Sequence, residues 1–345
     1  MAFVRFILSL LASLVGIVFM IPMAALLFPF WYISVLVKIS EKLKPKIVVW
    51  EDIIQFDQRL GWRVKPKVDA HMEVDNVYHL TTGEEGWRGN FNLKESTVVA
   101  VGDSFVFGQG VDDKDYFANL THSAHVKPLG APGYGATHYL LLLQSLTTEL
   151  KGKLVIWFVY TGNDFRESIR PSSYGNKSPY VFYNRKRGQW EIQTDHINPQ
   201  RLPFNFEKSY NVSIPELADL FSKNHLSEYA YAAFEYLAKE AQKHCDTHGA
   251  KFVIITTPVR WFLDGNYTFK IKRHASKPDD FSVKYPDEQA AIICKRNGIV
   301  CKSCFDEFSL DDFLPRDLHW SRKGNQTAAN IIDALYRSFV RGELN

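Results

Sequence analysis

Residues 98–105, which read Val-Val-Ala-Val-Gly-Asp-Ser-Phe, decide how the rest of this chain is interpreted. The apolar, mostly β-branched residues at its start predict a strand that is buried on both faces. The glycine predicts that the strand ends in a tight turn, so Ser104 stands directly after it. In a parallel sheet, reactive groups collect at this end of the strands. The hydroxyl of Ser104 is therefore a candidate nucleophile, provided that a base activates it.

Strand-like and helix-like segments alternate through the rest of the sequence. Further strands are predicted at 154–159, 252–255 and 298–301, and helices at about 115–123, 137–150, 226–248, 286–297 and 323–340. Such alternation predicts right-handed βαβ units and a parallel sheet covered by helices on both faces. The expected fold class is therefore α/β, as a three-layer α/β/α sandwich.

Three later motifs follow predicted strand ends or precede the last helix: Gly130-Ala131-Pro132-Gly133-Tyr134-Gly135, Gly162-Asn163-Asp164 and Asp317-Leu318-His319-Trp320. His319 is a candidate general base, and Asp317 is placed to orient its imidazole. The backbone N–H groups of Ser104 and Gly133 and the side-chain amide of Asn163 are candidate oxyanion donors. Each motif alone also fits a helix cap or a surface turn. Their joint occurrence indicates acyl transfer.

Together these motifs resemble the conserved blocks of the SGNH (GDSL-like) hydrolase family. Gly102-Asp103-Ser104 is similar to the first block, Gly133 to the glycine of the second, Gly162-Asn163-Asp164 to the third, and Asp317-Leu318-His319 to the fifth. The resemblance covers about residues 55–340. It implies a flavodoxin-like sandwich, Ser104 as nucleophile with His319 and Asp317 as base and acid, and Ser104, Gly133 and Asn163 as the oxyanion hole.

The sequence also departs from the family's usual pattern. Pro128 stands near the place where the second block commonly carries an asparagine, and Phe105 replaces a frequent leucine after the serine. The motifs Gly61-Trp62-Arg63 and Gly86-Trp87-Arg88-Gly89, which precede the first block, resemble a bacterial branch of the family.

The N-terminus carries a long apolar segment. From Phe6 to Val37 no residue is charged, a run of 32 residues, whereas a helix needs roughly 20 to cross a bilayer. We therefore predict a retained membrane anchor over residues 1–37, interrupted by Pro22 and Pro29. The lysines that follow favour a cytoplasmic domain. Two topologies remain possible. A re-entrant hairpin would keep both ends in the cytoplasm, and a single crossing would place the domain outside it, so the side of the membrane is undecided.

Three regions are expected along the chain: the anchor at 1–37, a basic linker and irregular lead-in at 38–95, and a catalytic domain at 96–345. Two stretches rich in polar and basic residues interrupt the catalytic domain, at about 165–215 and 260–284. Insertions of this size are often lids or binding loops. The alternative is that they are solvent-exposed loops without a functional role.

Composition excludes few functions. The net charge of +3 is too small to indicate nucleic-acid binding. Cys301 and Cys304 form a C-x-x-C motif, for which a zinc half-site, a disulfide and free thiols all remain open. The pairs His122/His125 and His244/His248 lack further ligands nearby and are more typical of surface histidines. We predict no cofactor and no metal.

The sequence thus predicts a membrane-anchored serine esterase or acyl hydrolase, a carboxylic-ester hydrolase that acts on an O-acylated glycan or lipid. Two alternatives remain. One is an O-acyltransferase that uses the same triad, and the other is a non-catalytic glycan- or lipid-binding module on a membrane anchor. The acyl group, the acceptor and the oligomeric state are left open.

Overall fold

The computed structural model describes residues 29–43 and 45–344. The boundary between two compact units falls after Lys46. The first unit contains helix α1, Pro29–Leu43. Most of the predicted anchor, residues 1–28, lies outside the described residues. Among the helices that are described, none is long and apolar enough to cross a bilayer.

The second unit begins at Ile47 and includes the lead-in together with the central sheet. In chain order its main elements are α2 Trp50–Ile53, β1 Ile54–Asp57, β2 Gly61–Val64, β3 Asp69–Glu73, β4 Val77–Thr81, β5 Val98–Gly102, α3 Ser104–Phe107, α4 Phe117–Leu120, β6 Val126–Gly130, α5 Ala136–Gln144, β7 Leu154–Tyr160, α6 Asp164–Glu167, β8 Ser172–Ser173, β9 Asn176–Lys177, β10 Tyr180–Asn184, β11 Gln189–Gln193, α7 Phe206–Leu220, α8 His225–Thr247, β12 Lys251–Thr257, α9 Gly265–Lys272, α10 Tyr285–Arg296, β13 Val300–Ser303 and α11 Arg322–Val340.

Five strands form the central sheet in the order β13-β12-β7-β5-β6, and every neighbouring pair is parallel. If the five strands are numbered along the chain and the sheet is read from the β6 edge, the order is 2-1-3-4-5, which is the flavodoxin-like arrangement. The predicted α/β fold with a parallel sheet is confirmed. The strand order reverses direction between β5 and β7, and ligands of such sheets bind outside the strand ends at this switch point.

Alternate residues of the strands point to opposite faces of the sheet, and both faces are covered. Val101 and Trp157 belong to the core beneath α5 and α8, whereas Ala100 and Ile156 belong to the core beneath α11. Burial on both faces explains why the strands are almost continuously apolar in sequence.

Some element boundaries differ from the sequence predictions. The helix expected at 115–123 is a single turn, α4, because the backbone N–H groups of residues 122–124 donate to the carboxylate of Asp333 instead of continuing the helix. The helix expected at 137–150 ends at Gln144, where the Ser145 hydroxyl donates to the Leu142 carbonyl. The strand expected at 298–301 begins two residues later.

The lead-in expected to be irregular contains two antiparallel hairpins, β1–β2 and β3–β4. The stretch at 165–215 contains two more, β8–β9 and β10–β11, and the beginning of α7. The stretch at 260–284 contains α9. The four cysteines, including Cys301 and Cys304, are free thiols.

Candidate active site

A continuous chain of hydrogen bonds joins three side chains that are far apart in sequence. His319 Nε2 lies 2.7 Å from Ser104 Oγ, and His319 Nδ1 lies 2.5 Å from Asp317 Oδ1. The side chains of His319 and Asp317 are 17% and 18% exposed, so the chain is largely shielded but open to solvent on one side. The ring of Phe105 lies 4.9 Å from the His319 ring and holds it in place.

Ser104 is the first residue of α3, directly after β5 at the switch point of the sheet. The Asp103 side chain caps this turn by accepting the N–H of Phe105 at 2.9 Å. Glycine is required on both neighbouring strand ends, because a Cβ at Gly102 would lie 2.3 Å from a Val106 methyl and one at Gly130 would lie 2.8 Å from the Asp103 carbonyl oxygen. The two glycines therefore allow the nucleophile turn to sit tightly against β6.

The loop that carries the imidazole is held in an uncommon backbone conformation. Leu318, between the acid and the base, has φ +74°, a region that residues with a branched side chain rarely occupy. The N–H of Leu314 donates to the His319 carbonyl at 2.7 Å, and the buried ring of Trp320 packs 5.0 Å from Phe105. These contacts overdetermine the loop and offset the strain, which fixes the direction of the His319 ring.

Asp317 is oriented by groups from two other parts of the chain. Gln109 Nε2 donates to its free carboxylate oxygen at 3.3 Å. The carboxylate of Asp75, in the β3–β4 turn, accepts the backbone N–H of Asp317 at 2.9 Å and that of Arg316 at 2.7 Å. Desolvation raises the pKa of Asp317, but the hydrogen bond and charge of His319 outweigh it and leave the pKa below its usual value. Asp317 is therefore ionised at neutral pH.

The three predicted oxyanion donors follow three adjacent strands. Ser104 and Gly133 come after β5 and β6, which are in register at Gly102 and Gly130, and Asn163 comes after β7 on the other side of β5. Within residues 29–43 and 45–344, neither the N–H of Ser104 nor that of Gly133 has a hydrogen-bond acceptor. The Asn163 side chain likewise makes no hydrogen bond in this part of the chain, and its Oδ1 is buried. All three donors are thus uncommitted.

Two carboxyl groups are buried behind the nucleophile. Asp103 is 1% exposed and lies 3.3 Å from Ser104 Oγ; desolvation raises its pKa to about 6, against the lowering effect of the Phe105 N–H and the His319 charge. Asp164 is fully buried, and desolvation followed by the charge of Asp103 raises its pKa well above the usual value. It accepts the Tyr139 hydroxyl at 2.8 Å and the Tyr160 N–H at 2.7 Å.

The lead-in supports the turn that carries Gly133. Trp62 is 1% exposed, and its indole N–H donates to the Pro132 carbonyl at 3.2 Å. The Tyr134 hydroxyl donates in return to the Trp62 carbonyl at 2.6 Å. These bonds clamp the residues on both sides of Gly133, whose φ of +81° favours glycine. The Gly61-Trp62-Arg63 motif therefore stabilises the oxyanion turn.

The second lead-in motif supports the loop after the nucleophile. Arg88 is 1% exposed and pairs with Asp113 at 3.0 Å. Its guanidinium also donates to the carbonyls of Gly108 and Val111, on either side of the Gln109 that contacts the catalytic acid. A buried arginine with this many acceptors fixes a loop more tightly than a surface ion pair does.

Tyr174 lies at the tip of the β8–β9 hairpin and faces the oxyanion turn. Tyr174 and Gly175 both have positive φ, as in a type I′ turn, and a Cβ on Gly133 would lie 2.7 Å from the Tyr174 ring. Arg201 donates to the Tyr174 carbonyl at 3.0 Å. Tyr174 is 38% exposed overall, while its hydroxyl is desolvated, which raises its pKa to about 12 and keeps it protonated.

The sequence did not indicate Asp75 or Tyr174 as part of this region, and it indicated Gln109 only through the resemblance, in Gly108-Gln109-Gly110-Val111 after the serine. The motifs that contain Trp62 and Arg88 were likewise indicated only by the resemblance. The usable signal was composition: both motifs place a tryptophan and an arginine beside glycines in a stretch otherwise rich in polar residues.

Known proteins give little guidance to the activity. No protein-family model matches the sequence, and none of the curated proteins matches it either. Among solved structures, a GDSL-like lipase from Bacteroides thetaiotaomicron is similar to this chain with a TM-score of 0.38 and 12% identity, over 70% of this chain and 87% of that chain. An acetyl xylan esterase from Butyrivibrio proteoclasticus gives 0.34 and 12%, over 76% and 68%.

A carbohydrate acetylesterase family member from Sinorhizobium meliloti gives a TM-score of 0.37 and 12% identity, over 70% of this chain and 97% of that chain. Likenesses at this level carry no argument about family or reaction. Any conclusion on function therefore depends on the residues of this chain and their geometry.

Proposed function

We propose that this chain is a serine carboxylic-ester hydrolase of the SGNH type. The observation that supports the proposal best is the hydrogen-bond chain from Asp317 through His319 to Ser104, at the switch point of a parallel sheet. Three uncommitted donors follow the adjacent strand ends. A nucleophile, a base, an orienting acid and oxyanion donors are the parts that acyl transfer through an acyl-enzyme requires.

In the first half of the reaction, Ser104 Oγ attacks the ester carbonyl carbon and His319 Nε2 accepts the hydroxyl proton. The carbonyl oxygen becomes an oxyanion, to which Ser104 N–H, Gly133 N–H and the Asn163 amide donate. The bond to the alcohol oxygen then breaks, and His319 returns its proton to that oxygen. The products are a free alcohol and an acyl group esterified to Ser104.

In the second half, a water molecule gives a proton to His319 and attacks the acyl carbon. The second oxyanion collapses, the bond to Ser104 Oγ breaks, and the serine recovers its proton from His319. Ionised Asp317 stabilises the imidazolium in both halves. A sugar hydroxyl in place of water would give an O-acyltransferase, and the products distinguish the two reactions.

We propose further that the substrate is an O-acylated glycan or lipid and that the N-terminus associates with a membrane. The uncharged run from Phe6 to Val37 supports association. In the described part of that run, Phe30 and Trp31 are 88% and 61% exposed, which is unusual for large apolar side chains in water. Sedimentation of the chain with lipid vesicles tests this point, and recovery of all of it in the supernatant would contradict it.

Hydrolysis of p-nitrophenyl acetate by the purified chain tests the enzymatic proposal. We expect Ser104→Ala to reduce the rate by at least about 10³-fold. Ser276→Ala, an exposed serine away from the triad, is the matched control and should leave the rate unchanged. Equal rates for the parent chain and Ser104→Ala would leave only a non-catalytic binding module.

A further inference from the structure

A polar cleft of about 180 Å³ lies between the lead-in and the stretch at 165–215. The triad residues do not line it. The residues that line it from β1, β9 and the segment after β11 include Gln55, Phe56, Asn176, Asn198, Gln200 and Arg201. Four of these six side chains are carboxamides.

Three of the carboxamides are uncommitted. The exposed side chains of Gln55 and Gln200 make no hydrogen bond within the described residues. Asn176 is only 9% exposed, and its buried Nδ2 has no hydrogen-bond partner in this part of the chain. An unsatisfied buried amide costs free energy unless a ligand or water pairs with it. A carboxamide offers a donor and an acceptor side by side, which matches a pair of neighbouring hydroxyl groups.

The remaining lining also fits a sugar. Phe56 is 44% exposed, and its ring offers the cleft a flat apolar surface against which the C–H face of a pyranose can pack. Arg201 pairs with Glu51 at 3.2 Å, so these two charges offset each other, whereas the partner of Lys177 at 2.8 Å is the uncharged amide oxygen of Asn198. A cleft lined by carboxamides and one aromatic ring suits a hydroxyl-rich ligand better than an acyl chain.

Two direct links connect the cleft to the oxyanion turn. Trp62 lines the cleft and donates to the carbonyl of Pro132, the residue before Gly133. Arg201 lines it from the other side and donates to the carbonyl of Tyr174, whose ring faces Gly133. A ligand bound here would therefore contact two residues that are hydrogen-bonded to Pro132 and Tyr174, which lie beside Gly133.

We propose that this cleft is a glycan subsite, which binds one sugar unit of an oligosaccharide while a neighbouring unit presents its acyl ester to Ser104. The inference rests on the proposed ester hydrolysis and selects the glycan over the lipid as substrate class. Carbohydrate binding by the cleft is nevertheless measurable without any turnover.

Calorimetric titration of the full chain carrying Ser104→Ala tests the subsite. The probes are the tetrasaccharides of xylose, mannose and N-acetylglucosamine. We expect at least one to bind, and we expect Gln55→Ala and Phe56→Ala, each added to this background, to weaken its binding by about tenfold. Gln58→Ala, an exposed glutamine three residues from Gln55 and outside the cleft, is the matched control and should bind like the parent. Absence of binding for all three probes, or equal binding by the cleft variants and the parent, would overturn the inference.

A second measurement separates this inference from the proposed reaction. With Ser104 intact, Gln55→Ala and Phe56→Ala should hydrolyse p-nitrophenyl acetate within about twofold of the parent chain, because a small ester does not occupy the subsite. An inactive parent chain that still binds a tetrasaccharide through Gln55 and Phe56 would contradict the hydrolase and retain the glycan site. An active chain that binds none of the probes would contradict the glycan site and retain the hydrolase.

Discussion

The carboxylate of Asp75 accepts the backbone N–H of Asp317 at 2.9 Å, across 242 positions of sequence. It accepts the N–H of Arg316 as well, so the β3–β4 turn fixes the start of the loop that holds both the acid and the base. Asp75 touches no reacting atom and is a positioning residue. Its effect on catalysis is through the direction of Asp317 and His319.

We expect Asp75→Ala to lower kcat for p-nitrophenyl acetate by about 10- to 100-fold with little change in KM, since small displacements of catalytic groups have effects of this size. Asp75→Asn keeps one acceptor and should recover part of the loss. Asp69→Ala, an exposed aspartate in the same hairpin, is the control. A loss that appears in KM alone, or a loss equal to that of the control, would argue against a positioning role.

Asn163 tests the oxyanion hole separately from the triad. Removal of one such donor typically reduces kcat by about 10²–10³-fold, and we expect this result for Asn163→Ala. The side chain makes no capping hydrogen bond to α6, so the melting temperature should change little. An unchanged kcat would exclude the Asn163 amide as an oxyanion donor. A large fall in melting temperature would instead attribute the loss of kcat to a damaged fold.

Tyr174 should limit the length of the acyl group. Its ring lies against the Gly133 turn, where we expect the acyl group to be bound. We expect the parent chain to prefer p-nitrophenyl acetate to the hexanoate. Tyr174→Ala should raise the hexanoate-to-acetate ratio of kcat/KM by about tenfold, whereas Tyr183→Ala, an exposed tyrosine on the neighbouring hairpin, should not. Equal ratios in all three proteins would remove Tyr174 from the acyl site.

Asp164 should make the fold less stable as the pH rises. Burial raises its pKa in the folded state above the value in the unfolded chain, so its contribution to stability is fully present at acidic pH and is lost as the pH rises towards the folded pKa. Asp164→Asn removes the ionisation and keeps an acceptor for Tyr139 and Tyr160. The variant should therefore gain melting temperature relative to the parent between pH 5 and pH 8. A gain that is the same at both pH values would contradict the raised pKa.

The sheet and the order of the candidate catalytic groups could be predicted because each depends on local sequence. The strands are apolar over their whole length, since both faces are buried, and the residues after β5, β6 and β7 stand at one edge by topology alone. The Asp317-x-His319 spacing places the acid beside the base within a single loop. The site therefore follows largely from the positions of strand ends.

The support around the site could not be predicted, because it depends on contacts between distant segments. Nothing in the β3–β4 turn indicates that Asp75 accepts N–H groups near residue 317, and Arg88 meets its carbonyl acceptors only after folding. The same reason explains the short helix α4, whose continuation is prevented by Asp333 near the other end of the chain.

The rate at which a fluorophosphonate labels Ser104 tests the central claim most directly, because this reagent reacts with a serine only when a neighbouring base removes its proton. We predict that mass spectrometry of the parent chain finds one adduct, on the peptide that contains Ser104. The adduct should be absent from Ser104→Ala and should form at least about 10²-fold more slowly in His319→Ala. An adduct on a different residue, or labelling of the parent no faster than of His319→Ala, would contradict the account.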